Sequence, residues 1–204
     1  RRFTGICMED FLALDEVNLD TDSPVNPCKY MLYSDPFLGI FDRTVKGDGS
    51  QFSAVREGLR AGAKSVRYGY LFKTLMELCD VLEIKYDLGV RTRKAYRADD
   101  RGALAALVAG YGELEKRLKA FYRLFLAQRE RECKPQGFEK QDIRLGGLMQ
   151  RVVHCRRILS EYLACRRDRI EELEEHILPF ADGQDGAPVC FNDWLHTAQI
   201  KPLM

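Results

Sequence analysis

Many signatures of chemistry are missing from this 204-residue chain. Its three histidines, His154, His176 and His196, form neither HExxH nor His-x-His. Its seven cysteines form no CxxC. Zinc sites need such close pairs, so no metal centre is expected. His154 and Cys155 are neighbours, but adjacent helical residues point about 100° apart and chelate one ion poorly. GxxxxGK[ST] is absent, which removes the phosphate loop. No apolar run reaches the roughly 18 residues of a membrane span, so no membrane partner is expected. The net charge is +1, and neither end of the chain holds an excess of one sign. Composition therefore gives no electrostatic footprint for nucleic acid.

Leader sequences are missing too. Arg1 and Arg2 precede "FTGICMEDF", which is too short and too acidic for a signal h-region. The first residues read as mid-protein sequence, and the expectation is a piece of a longer chain. The odd, scattered cysteine count points to a reducing compartment, the cytoplasm. Within helical patterns Cys79, Cys155 and Cys165 are expected to act as small buried hydrophobes.

What is present leans helical. Hydrophobic residues make up 46% and charged residues 31%, an ordinary globular balance. Residues 1–52 read as irregular, with turn clusters at "LDTDSPVNP" and "VKGDGSQ". Between them, "KYMLY" (Lys29–Tyr33) reads as a short β-type run stopped by Pro36. Apolar residues then recur at helical spacing. One stripe runs Phe52, Val55, Leu59, Ala63, Val66. A second runs from Leu71 through Leu82 and Tyr86 to Tyr96. A third runs from Leu104 to Phe125, and a fourth from Leu145 through Leu159 to Ile177. Helices of 30 residues, about 45 Å long, fit these stripes. Asp99 or Asp100 is the expected N-cap at "RADDRG". Pro135 and Gly137 end the helix before "FEKQD". The expectation is a mainly α fold: an up-and-down bundle of three to four long helices over 53–180, after an irregular segment with a short strand over 1–52. Residues 181–204 form a tail.

Candidate chemistry is sparse. Asp15-Glu16 is an adjacent carboxylate pair, which can divide acid and stabiliser roles or be a solvated loop. In "YSDP", Tyr33 and Asp35 would face one side of an extended segment and orient a polar ligand. The structural alternative is that Tyr33 packs and Asp35 caps a turn before Pro36. Gly146 and Gly147 inside a helix cost roughly 1 kcal/mol each, and close approach of another backbone is the usual compensation. "RRDR" at 166–169 is balanced by "EELEE" at 171–175, a helical surface.

Three motifs in order, "NPCKYMLYSDPFLGIFD", "LCDVLEIKYDLGVRTRKAY" and "KPQGFEKQDIRLGGLMQR", resemble the C-terminal part of glycoside hydrolase family 20, in a bacterial branch of β-N-acetylhexosaminidases. The similarity runs from about Phe11 to Leu178. Such enzymes carry the active site on a (β/α)8 barrel. An adjacent Asp-Glu pair removes terminal N-acetylhexosamine with retention, assisted by the substrate's own acetamido group and without metal or organic cofactor. This chain holds too few strand signals for that barrel. The family's Asp-Glu pair belongs upstream of these motifs, so the resemblance implies no catalytic residue here. Tyr33-x-Asp35 is similar to the family's substrate-binding Tyr-x-Asp, but Trp194 is followed by Leu195 and His196 rather than by the family's Trp-x-Glu. The resemblance implies a non-catalytic portion that supports the barrel, its rim or a homodimer, and meets an N-acetylhexosamine glycan only through the parent enzyme. The rival reading is an independent helical interaction module.

Overall fold

The computed structural model describes residues 8–14, 27–42, 45–134 and 136–177, apart from the side chains of Asp10, Pro27, Lys29 and Tyr30. Asp15-Glu16 and the tail 181–204 lie outside the described residues. Among those described, every regular element is helical. They are α1 (Met8–Leu12), α2 (Pro27–Tyr33), α3 (Gln51–Leu59), α4 (Gly69–Lys85), α5 (Leu88–Arg97), α6 (Arg101–Glu132), α7 (Glu139–Leu163) and α8 (Glu171–Glu174), with a 3-10 turn at Gly62–Lys64.

The longest helix, α6, occupies the centre. It packs on α4 along one side and α7 along the other, while α3 lies on α4. The stripes explain this. Leu104, Leu107, Tyr111, Leu114, Leu118 and Phe121 of α6 are buried. They meet Phe72, Cys79 and Leu82 from α4, and Leu145, Val152, Cys155 and Leu159 from α7, in one core. Burying such a side chain contributes about 1.5–3 kcal/mol. Asp80 adds an electrostatic tie across three helices, pairing with Arg56 of α3 at 2.6 Å and Arg117 of α6 at 3.3 Å.

Five details depart from the sequence reading. The run Lys29–Tyr33 is helical, within α2, and not a strand. Pro27 occupies its first position, where the missing N–H costs nothing and the fixed φ suits a helix. The second stripe breaks at Tyr86–Asp87 into α4 and α5. The fourth stops at Leu163, well short of Ile177. There Cys165 takes φ 53°, its N–H reaches Tyr162 O, and the Arg166 N–H reaches Glu161 O. That pair of bonds is a Schellman closure. It turns Cys165 outward, so this cysteine is exposed rather than core. Val66 also leaves the core, fully exposed beyond the 3-10 turn.

The α5–α6 corner closes in the same way. Asp99 sits at φ 48° with its N–H on Tyr96 O, and the Asp100 N–H reaches Ala95 O. Asp100 then caps α6, its carboxylate accepting the Ala103 N–H at 2.8 Å.

Candidate functional site

The segment Met31–Asp42 crosses α4, α5 and α7 as a strap. Its backbone turns away from helix at Ser34, so carbonyls of Met31, Ser34, Pro36 and Phe37 lack helical partners. A buried carbonyl without a donor costs about 1–3 kcal/mol. Three cations from the bundle meet this need or hold the strap's carboxylates.

Lys85, at the end of α4, is buried, and its Nζ donates to Met31 O at 2.7 Å, Ser34 O at 2.6 Å and Ser34 Oγ at 2.9 Å. Three acceptors match the three hydrogens of the ammonium form. Burial pushes its pKa down to about 7, against the pull of Asp35. Arg93 of α5 is also buried; its Nη1 donates to Pro36 O and Phe37 O, both at 2.9 Å. Its Nε donates to Asp42 Oδ2 at 2.5 Å and its Nη2 to Asp42 Oδ1, a bidentate pair. Arg151 of α7 donates from Nε to Asp35 Oδ2 at 2.7 Å, pairs with Glu172 of α8, and stacks 5.5 Å from the Phe37 ring centroid.

Under this layer lie buried aromatic side chains. Phe37 is fully buried and meets the Tyr111 ring edge-on at 6.2 Å. The Tyr111 hydroxyl lies 3.1 Å from Thr92 Oγ, which donates to Leu88 O at 2.7 Å. Burial raises the Tyr111 pKa, so the phenol stays neutral. Cys155 nearby is pushed up to about 12 by burial and is an inert thiol.

Tyr33 and Asp35 do not form the expected pair. Tyr33 closes a helix, so the alternation of an extended chain does not apply. Its hydroxyl donates to Gln141 Oε1 at 2.5 Å, and the Arg144 guanidinium lies 3.8 Å from its ring centroid. Burial raises its pKa, with Arg144 opposing. Asp35 Oδ1 accepts the N–H of Phe37 at 2.8 Å and of Leu38 at 3.2 Å. It thus caps the turn at Pro36 while facing Arg151. Gln141 and Arg151 stand ten residues apart on α7, about 15 Å along its axis. Tyr33 therefore binds the first turn of α7 and Asp35 its middle.

Gly146 and Gly147 also behave differently from expectation. A Cβ at either would meet nothing within 4 Å, so no backbone approaches them. Gly89 is the glycine that lets the strap come close: a Cβ there would stand 2.5 Å from Pro36 O. Gly39, at φ +68°, makes the strap's second turn against Arg93 and Ile177.

Lys85, Arg93 and Arg151 were not singled out from the sequence. Two of them carried a signal. Leu78, Leu82, Lys85, Gly89 and Arg93 follow helical spacing in the sequence, and a cation at an apolar position needs buried acceptors. Among the described residues no cluster of His, Cys, Asp or Glu is arranged to hold a metal ion, and no helix is long and apolar enough to cross a membrane.

The described residues thus define an all-α domain in which the strap's pairable groups serve the domain's own cohesion. The chain belongs to the glycoside hydrolase 20C C-terminal domain family, which it matches over residues 8–190. That span contains all three motifs on which the family 20 resemblance rests. Among curated proteins, none matches the chain.

Proposed function

We propose that this chain is the non-catalytic C-terminal portion of a β-N-acetylhexosaminidase. Its parent would release terminal N-acetylhexosamine on a separate barrel, by the substrate-assisted retaining route. One observation carries the reading: the polar side chains of the strap that could grip a sugar are already engaged inside the domain. Tyr33 is held by Gln141, Asp35 by Arg151 and two backbone N–H groups, and Asp42 by Arg93. A binding cleft needs polar groups aimed outward. The strap instead presents Leu38 and Ile40, which are 44% and 40% exposed. Apolar side chains held out by a rigid turn suit contact with the barrel, its rim or a second subunit. A reducing compartment such as the cytoplasm fits the same reading, since Cys79 and Cys155 are buried free thiols.

The test is hydrolysis of an aryl N-acetylglucosaminide by this chain alone and by the parent enzyme. The expected result is no turnover by the chain alone. In the parent, Leu38→Asp with Ile40→Asp should lower thermal stability, while Tyr33→Phe leaves KM unchanged. Turnover by the isolated chain that vanishes in Asp35→Asn would overturn the reading. A large KM rise in the parent's Tyr33→Phe variant would instead make the strap a glycan contact.

A further inference from the structure

A groove of about 370 Å³ runs between α5 and α6. Its floor is apolar, from Ala95, Ala103, Ala106 and Leu107. An adjoining hollow, walled by Asp42, Arg93 and Arg97, shares Lys94 and Ala98 with it. The carboxylates at the edges are spent: Asp42 is held by Arg93, and Asp100 caps α6. Arg91 is paired with Asp87 at 3.0 Å. Lys94 and Arg97 are exposed, and neither enters an ion pair among the described residues. The groove thus joins an apolar floor to two uncompensated positive charges.

The chain supplies a segment of complementary character. Ile177 ends the described residues, and its Cδ1 lies beside Gly39 and the Arg93 guanidinium, the wall of the adjoining hollow. Residues 178–204 follow, with Asp182, Asp185 and Asp193 against a single lysine, Lys201. They also hold Phe191, Trp194 and Leu195 around one of those aspartates. An extended chain covers about 3.3 Å per residue, so the groove is within reach of Phe191–Leu195. We propose that the α5–α6 groove is the docking site of this chain's own C-terminal segment, with the "FNDWL" side chains on the alanine and leucine floor and the aspartates toward Lys94 and Arg97. The pairing follows ordinary interface chemistry, an aromatic anchor in an apolar pocket with a charged rim. It does not depend on the glycosidase reading.

Trp194 is the only tryptophan, so intrinsic fluorescence of the whole chain reports on this segment alone. The native chain should emit to the blue of its urea-denatured form and resist acrylamide quenching, independently of protein concentration. Ala106→Glu, on the groove floor, should move the emission to the denatured position. The Lys94→Glu, Arg97→Glu double variant should do the same with helical circular dichroism unchanged. Native emission already at the denatured position would overturn the proposal. A blue emission untouched by both variants would also overturn it, because Trp194 would then be buried elsewhere. A blue shift that grows with concentration alongside a dimer would overturn it in favour of a second copy's segment.

Discussion

Gly89 lies directly under Pro36: a Cβ on the first would stand 2.5 Å from the carbonyl oxygen of the second. The Arg93 Nη2 is the next atom in line, at 2.9 Å from that same Cβ position. Gly89→Ala must therefore push the strap off α5 and disturb the donors that hold it. Overpacking of this kind costs about 1–3 kcal/mol. Urea unfolding should show that loss, with the midpoint lowered. The matched comparison is Gly147→Ala, where the added methyl meets open space on a helix. That change should stabilise by roughly 1 kcal/mol. Equal effects of the two substitutions would mean that the strap does not rest on α5.

Lys85 gives the stability a pH dependence of defined sign. Its folded pKa is about 7 and its ordinary value 10.5. Between those values the unfolded chain binds the proton that the folded chain has lost. Stability from this group therefore rises with pH from about 7 toward 10. Lys85→Met should remove that rise. It should also destabilise at neutral pH by about 1–3 kcal/mol, because Ser34 O loses its donor while Met31 O keeps only the Ser34 hydroxyl. Denaturant melts from pH 6 to pH 10 on both proteins compare the slopes. A slope shared by both would assign the pH dependence to other groups.

Arg151 and Asp35 are both about three-quarters shielded from solvent, so their pairing should be measurable. A double-mutant cycle with Asp35→Asn and Arg151→Met should give a coupling of roughly 1–2 kcal/mol. Asparagine keeps an oxygen for the Phe37 N–H, so the cycle isolates the charge. Additive losses would show that Asp35 acts only as a turn cap.

Thiol reactivity should divide cleanly. Burial pushes Cys79 and Cys155 up to about 12, and Cys28 is buried with its Sγ on Leu14 O at 3.0 Å. Cys133 and Cys165 are exposed. Of these five, iodoacetamide on the native chain should label the last two first, as read by peptide mass spectrometry. Cys79 modified as fast as Cys133 would contradict the packing of α4 against α6.

Much of the bundle was legible because long stripes average over local exceptions. The third stripe gave α6 almost whole, and "ADD" narrowed its cap to Asp99 or Asp100, of which the structure uses Asp100. Breaks were harder where no glycine marks them. Cys165 adopts the left-handed turn without being glycine, so the end of α7 carried no composition signal, whereas "RADDRG" marked the α5–α6 break. The seven residues of α2 are too few for a period to separate helix from strand, and Pro27 at the first position was the better clue. At the site, Tyr33 and Asp35 drew attention as unusual residues. Their partners could not be read, since Gln141 and Arg151 lie 108 and 116 positions away. Only the fold brings them together.

The strap also fixes an order of assembly. Its carbonyls and carboxylates are bound by residues 51 to 116 positions later. Contacts of such separation form late, after the local helices. During synthesis the strap leaves the ribosome well before α5, and long before Arg151. Until then Phe37, which the fold buries, is exposed beside Leu38 and Ile40. Chaperone binding to nascent chains should therefore concentrate on "DPFLGIF" and end once α7 has emerged.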